Sequence, residues 1–294
     1  MSDAALTVPA AGRSQRFLRR FLTRSRMGVF GGTIVLAMVI MAVFAPLIAP
    51  ADPLRQNLRL ALSAPGENGF ILGSDELGRD TLSRIIYGTR MSLTVGFFGL
   101  TFGMLLGLPL GLLAGFYGGR FDAVTMRLMD VILAFPRLLL AIIVIATQGI
   151  GFWSIVFAIA IPDMPQFARI VRSRTLSLKE NDYVVSARAI GAGDLRLLAR
   201  HLLPNVIGPT MVQATFSLAA AVLVAGGLSF LGLGIQPPTP EWGSMLAASR
   251  TYIRTAPHLA IFPGIAFGLL ILGINLLGDA LSQAIDPRIG FLRR

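Results

Sequence analysis

Three acids and one base stand out among the ionisable residues in the apolar stretches of this chain: Asp130, Asp163, Asp279 and Arg137. Ionisable groups at membrane depth are costly and serve mainly as relays, solute contacts or paired locks, so transport chemistry is sought here first. Asp130 and Arg137 stand two helical turns apart and would share a face toward a pore. Pro162 and Asp163 open a proline-broken stretch, IPDMP, whose freed backbone groups need a cavity or a neighbour. Ordinary positions near a helix end account better for Asp130 and Asp279. Other chemistry is scarce. Cysteine is absent, and His201 and His258 are too few for an ordinary zinc site. No HExxH or GxSxG occurs, so an enzyme is not expected, and neither a metal nor a cofactor is assigned to the chain. The single lysine, Lys179, lies in SLKEN and not in GxxxxGK[ST], so no P-loop is present.

The elements that must position these residues are membrane helices. Of 294 residues, 54% are hydrophobic and 14% charged, with a mean hydropathy of +0.71; soluble domains carry about 25% charged residues. A span takes about 20 apolar residues, and six segments qualify, near 28–48, 91–116, 124–146, 152–170, 206–231 and 259–281. The third contains Asp130 and Arg137, and Pro162 and Pro165 break the fourth. The first run follows an arginine-rich arm and precedes Ala45, Ala49 and Ala51, as a cleaved signal would, but at its length it reads as a span.

Arginine placement sets the orientation. Arg13, Arg16, Arg19, Arg20, Arg24 and Arg26 precede the first span, and Arg169, Arg172, Arg174, Lys179, Arg188, Arg196 and Arg200 cluster in and before the loop after the fourth. Both termini are therefore expected in the cytoplasm, and the net charge of +11 needs no nucleic acid to explain it. The expected organisation is a basic arm (1–27), a first span with an outer loop (28–90), a membrane core (91–285) holding a cytoplasmic loop (173–205), and a tail (286–294). In the outer loop, Asp75, Glu76, Arg79 and Asp80 with Arg84 read as a mixed-charge face on an amphipathic helix starting near Asp75. That face either docks an external partner or is solvated, with ion pairs worth about 0.2–0.5 kcal/mol each. Trp242 suits a membrane interface.

The loop NDYVVSARAIGAGDLRLLARHLLPN, Asn181 to Asn205, reads as helix, glycine break, helix. Asn181 or Asp182 is placed to cap the first helix and Asp194 the second. Tyr183, Ala187 and Ile190 fall on one face of the first, and Leu195, Leu198 and Leu202 on one face of the second. Small residues let another surface approach closely, so the loop reads as a docking knob. A DNA-binding helix-turn-helix has the same outline, but spans fasten both ends.

This loop resembles the EAA loop of the permeases of binding-protein-dependent ABC transporters. Ala187 matches the second alanine, Gly191 the glycine and Leu203-Pro204 the leucine-proline pair, while Val185 stands at the glutamate and Ser186 at the first alanine. RHLLPN, LGSDELGRDTLSRIIYGTR and GGLSFLGLGIQPPTPEWGSML resemble signatures of the peptide and nickel branch. The resemblance implies an all-α, polytopic permease of the type I importer kind with six spans, forming half of a pore in a bacterial inner membrane. A second, homologous permease would complete the pore, and an extracytoplasmic substrate-binding protein would deliver di- or oligopeptides, nickel or a related solute. Two cytoplasmic P-loop ATPases, carrying ATP-Mg, would grip the segment around Tyr183, Ala187, Arg188, Gly191 and Ala192. A proton- or sodium-coupled secondary transporter is the alternative, and would use the membrane-embedded ionisable residues.

Overall fold

The structure, a computed structural model, describes residues 25–285; residues 1–24 of the expected basic arm and the tail 286–294 lie outside the described residues. Among the described residues the elements are helical, with one isolated bridge between Ser74 and Asp80. Five helices among the described residues are long and apolar enough to cross a membrane, and a bent pair allows a sixth passage.

Helix α1, Arg26–Val43, is capped by Ser25, whose hydroxyl accepts the Gly28 N–H at 3.0 Å. A short helix α2, Ala45–Ile48, follows with Pro46 in its first turn, where a missing N–H costs nothing. Helix α3, Thr81–Tyr117, runs 37 residues without interruption, about 55 Å at the α-helical rise. The expected outer amphipathic helix and the second span are thus one element. It starts at Thr81 and not near Asp75, because Asp80 caps it by accepting the Ser83 N–H at 2.7 Å.

The third span departs most from expectation. It divides into α4, Gly119–Leu133, and α5, Arg137–Gln148, bent by 93° across the break. Pro136 stands at that break and has no N–H to continue the α4 ladder. Each piece is only about 18–23 Å long and too short to cross alone. The fourth span departs in the opposite sense: α6, Phe152–Lys179, continues through Pro162 and Pro165. Tertiary packing holds it where local propensity would break it. Helix α7 covers Asp182–Ala189, α8 Asp194–Phe230, α9 Trp242–Ser249 and α10 His258–Ile285.

The packing against α6 comes from a glycine stripe on α3. Gly99, Gly103, Gly107, Gly111 and Gly115 recur every four residues and face α6, Gly99 against the Ile159 side chain and the other four against the backbone, with Gly96 one turn earlier against Val222 of α8. A β-carbon on Gly107 would sit 2.4 Å from the Met164 carbonyl oxygen, and one on Gly111 2.2 Å from that of Ala168. Lipid exerts no hydrophobic force between helices, so such close backbone approach is a main source of their association. Gly28 and Gly31 of α1 make the same approach to Ala280 and Leu276 of α10. Elsewhere Val95, Ile145, Ile155, Ile159, Ala221 and Leu228 join α3, α5, α6 and α8 in one buried cluster.

Candidate functional site

At one end of the bundle, the segment from Asp182 to Leu202 folds into the expected hairpin. Its turn is a Schellman motif: the Ala192 N–H donates to the Ala187 carbonyl and the Gly191 N–H to that of Arg188, both at 3.0 Å. Gly191 takes the left-handed position this motif requires, at φ +86. The expected side-chain caps do not form: Asn181 makes no side-chain capping bond, and Gly193 rather than Asp194 occupies the cap of the second helix. Asp194 sits instead in the first turn, where its charge complements the helix dipole.

The two faces read from sequence are redistributed. Val184 and Ala187 are buried with Leu197, Leu198 and Leu202 against Leu112 and Phe116 of α3 and Val171 of α6. Tyr183 is exposed beside Asn205, and Ile190 and Leu195 flank the turn with 87% and 80% of their surface free. Ala187 and Ala192 are therefore seating residues, Ile190 and Leu195 form the apolar tip, and Val185 and Tyr183 are exposed at the start of the first helix, at the hairpin base. Helical spacing could have found Leu195 only by showing that its neighbours Leu198 and Leu202 suffice to seat the hairpin. Arg188 stacks over the Phe116 ring at 5.3 Å, tying the hairpin to the end of α3. Before the exposed Pro204, Leu197–Leu202 form a wider π turn, which separates the proline ring from the carbonyl it would otherwise strike. Leu203 is half-buried just after it.

Three ion pairs join α4 and α5 to α6: Arg137 with Asp163, Asp130 with Arg169, and Asp122 with Arg172. Asp130 and Arg137 thus do not act together, because the bend sends them to different partners. Asp163 is 1% exposed, yet its Oδ2 and the Arg137 Nε have no hydrogen-bond partner. A cavity of about 530 Å³ is lined there by Arg137, Pro162, Asp163, Gln166 and Arg169. Toward the hairpin a second, of about 700 Å³, is lined by Arg169, Ser173, Arg174, Ser177, Gln213 and Ser282 among others.

At the opposite end the expected mixed-charge face turns inward. Asp75, Arg79, Asp80 and Arg84 are all buried, and only Glu76 is partly open. The Asp75 carboxylate accepts the Arg79 Nε–H at 2.6 Å and faces Arg84 Nε at 3.3 Å, while Arg84 donates to the Pro53 carbonyl. These charges brace the loop internally. Trp242 is also buried and donates from Nε1 to the Ile85 carbonyl of α3 at 3.0 Å.

Next to it, Glu241 caps α9 by accepting the Gly243 and Ser244 N–H groups at 2.9 and 2.8 Å. Burial pushes its carboxyl above the ordinary range, although those N–H groups pull the other way. A pKa raised by folding favours the folded chain while the group is protonated, and that gain is lost as pH rises through the raised value. Glu241→Gln is expected to narrow the difference in thermal stability between about pH 5 and pH 8, read in detergent. Identical pH slopes for wild type and variant would refute this.

Residues 107–291 match the family described as binding-protein-dependent transport system inner membrane component. The chain belongs to that family. Residues 12–65 match the N-terminal transmembrane domain of oligopeptide transport permease C. The Di/tripeptide transport system permease protein DppC of Pseudomonas aeruginosa (strain UCBPP-PA14) is 45% identical over 294 residues, covering 98% of this chain and 96% of the relative. The Glutathione transport system permease protein GsiD of Pectobacterium atrosepticum is 45% identical over 275 residues, covering 94% and 91%. Among solved structures, an inward-facing MetNI methionine ABC transporter chain matches with a TM-score of 0.57 at 20% identity, over 70% of this chain and 97% of that one; at that identity the likeness speaks for the fold. This protein is thus a multi-pass inner-membrane permease subunit of an ABC importer. Its relatives are transport permeases, not enzymes, and the family works with ATPase and binding-protein partners.

Proposed function

We propose that this permease forms half of an import pore for di- and tripeptides or a related peptide-like solute such as glutathione. A second, homologous permease completes the pore, an external binding protein delivers the solute, and two ATPases bind at the hairpin tip on the cytoplasmic side. The hairpin carries this reading. It exposes Ile190 and Leu195 at a turn fixed by Gly191, and its base is seated on α3 and α6, so force applied at the tip passes into two membrane helices. The chain's single lysine is used structurally, donating from Nζ to the Gly115 carbonyl at 3.0 Å, and nucleotide binding falls to the partners, which carry ATP-Mg. Switching a two-state gate from 1:99 to 99:1 takes about 5.5 kcal/mol of differential binding, which an ATPase that grips one hairpin position and releases the other can supply. The solute class is supported by the relatives, which are named as dipeptide, di/tripeptide and glutathione permeases. With the hairpin inside, both termini fall in the cytoplasm, in keeping with the arginine distribution.

The test is isolation of the tagged chain from its native membrane in mild detergent, with its companions identified by mass spectrometry. A second permease and P-loop ATPases are expected. A chain that emerges alone and transports in liposomes under a proton gradient without ATP would instead establish ion-coupled transport.

A further inference from the structure

From Pro162 to Lys179 the exposed residues of α6 are Gln166, Arg169, Ser173, Arg174 and Ser177, and all are polar. They recur at helical spacing along one face. The contrast with other helices is direct: α1 exposes Phe30, Leu36, Val39, Ile40 and Val43, and α10 exposes Ile261, Ile265, Leu269 and Leu272. Those faces suit lipid tails. A face carrying two arginines does not, because charge within a membrane helix points to protein or to water. Two cavities open along this face and share Arg169 and Ile170, so they meet at one turn of α6.

The charge along this path is one-sided. Arg137, Arg169 and Arg174 line the two cavities, and Asp163 is the one acid among the lining residues. Asp163 faces Arg137, and Asp130 faces Arg169 from outside the lining; Asp122 is taken by Arg172. Arg174 has no ion-pair partner among the described residues. Asp279, one turn before Ser282 on α10, is exposed but does not line the cavity. The buried Asp163 Oδ2, without a partner, leaves one acceptor at the upper end of the path.

We infer that this face of α6 lines the translocation path, and that Arg169 and Arg174 favour solutes bearing a carboxylate over inorganic cations. The inference rests on the permease reading above and narrows its solute class. A free peptide presents a carboxylate to these arginines. A bare divalent metal ion meets only repulsion at Arg174. Positive charge lining a narrow passage raises the local concentration of anionic groups and excludes cations.

The absence of cysteine makes a direct test practical. Ser177→Cys, in the complete transporter reconstituted in liposomes, is treated with an anionic and with a cationic methanethiosulfonate reagent, and labelling of this subunit is read by mass spectrometry. The ratio of anionic to cationic labelling rates is then compared with that in the Arg169→Gln/Arg174→Gln background. The expected result is a fall in the ratio of roughly tenfold when the arginines are removed, with the Arg174→Lys variant keeping the original ratio. An unchanged ratio overturns the inference, and so does a cysteine that neither reagent reaches. Should Arg169→Gln weaken assembly through its contact with Asp130, the single Arg174→Gln variant carries the comparison. Uptake of a free dipeptide is measured alongside. ATP-dependent uptake with an unchanged labelling ratio sinks this inference alone, whereas uptake that needs no ATPase sinks the permease reading beneath it.

Discussion

Gly111→Leu is expected to yield a permease that does not hold its core together. The added β-carbon would lie 2.2 Å from the Ala168 carbonyl oxygen and 2.9 Å from that residue's Cα. Both are backbone atoms of α6, so no side chain can rotate away, and α3 and α6 must separate along their shared length. Inserting bulk into a well-packed interface typically costs about 1–3 kcal/mol, and here the separation also strips the neighbouring approaches at Gly107 and Gly115. Substitution at Gly208 is the control, since a β-carbon there meets nothing within 4 Å. Gly111→Leu should lose the monodisperse peak in detergent or unfold many degrees lower, while Gly208→Leu behaves as wild type. Equal thermal stability for the two variants would show that the stripe does not hold α3 to α6.

The second large effect is expected at the hairpin tip. Ile190→Asp should leave the chain inserted and paired with its companion permease, yet strip the ATPases from the complex and abolish uptake. Ile190 is 87% exposed, so folding loses little, whereas a buried interface anchor is typically worth 2 kcal/mol or more. That corresponds to about thirtyfold weaker docking at the usual 1.4 kcal/mol per decade. Gly191→Arg should act by a different route: the added side chain meets open space, but the residue must hold φ +86, a strain of about 1–2 kcal/mol. Normal ATPase co-purification with Ile190→Asp would remove the tip from the interface.

The two variants bear differently on what the sequence revealed. The spans were legible because their apolar runs match the thickness of a bilayer, and the hairpin because a glycine separates two helical patterns. The α3 stripe was present in the spacing of Gly99, Gly103, Gly107, Gly111 and Gly115, but spacing alone does not say which helix receives it. Asp75, Arg79 and Arg84 read as surface charges since each lies in a polar stretch. Only the loop's return past Pro53 shows that they satisfy one another inside it. Pro136 and the prolines of α6 carry the same local signal and have opposite outcomes. Pro136 bends its span by 93°, whereas Pro162 and Pro165 sit where α3 clasps the helix and holds it continuous. Which outcome a proline produces is decided by its neighbours in space.

Helix α3 reaches from the Trp242 indole, bonded at Ile85, to Phe116 beneath Arg188. Its length sets an angular gain between the two faces of the membrane. A rotation of about 5° about one end of a rod of about 55 Å sweeps the other through an arc of about 5 Å, close to the width of a peptide backbone. A modest tilt imposed where Arg188 meets Phe116 is enough, by geometry alone, to admit or refuse a peptide at the far end.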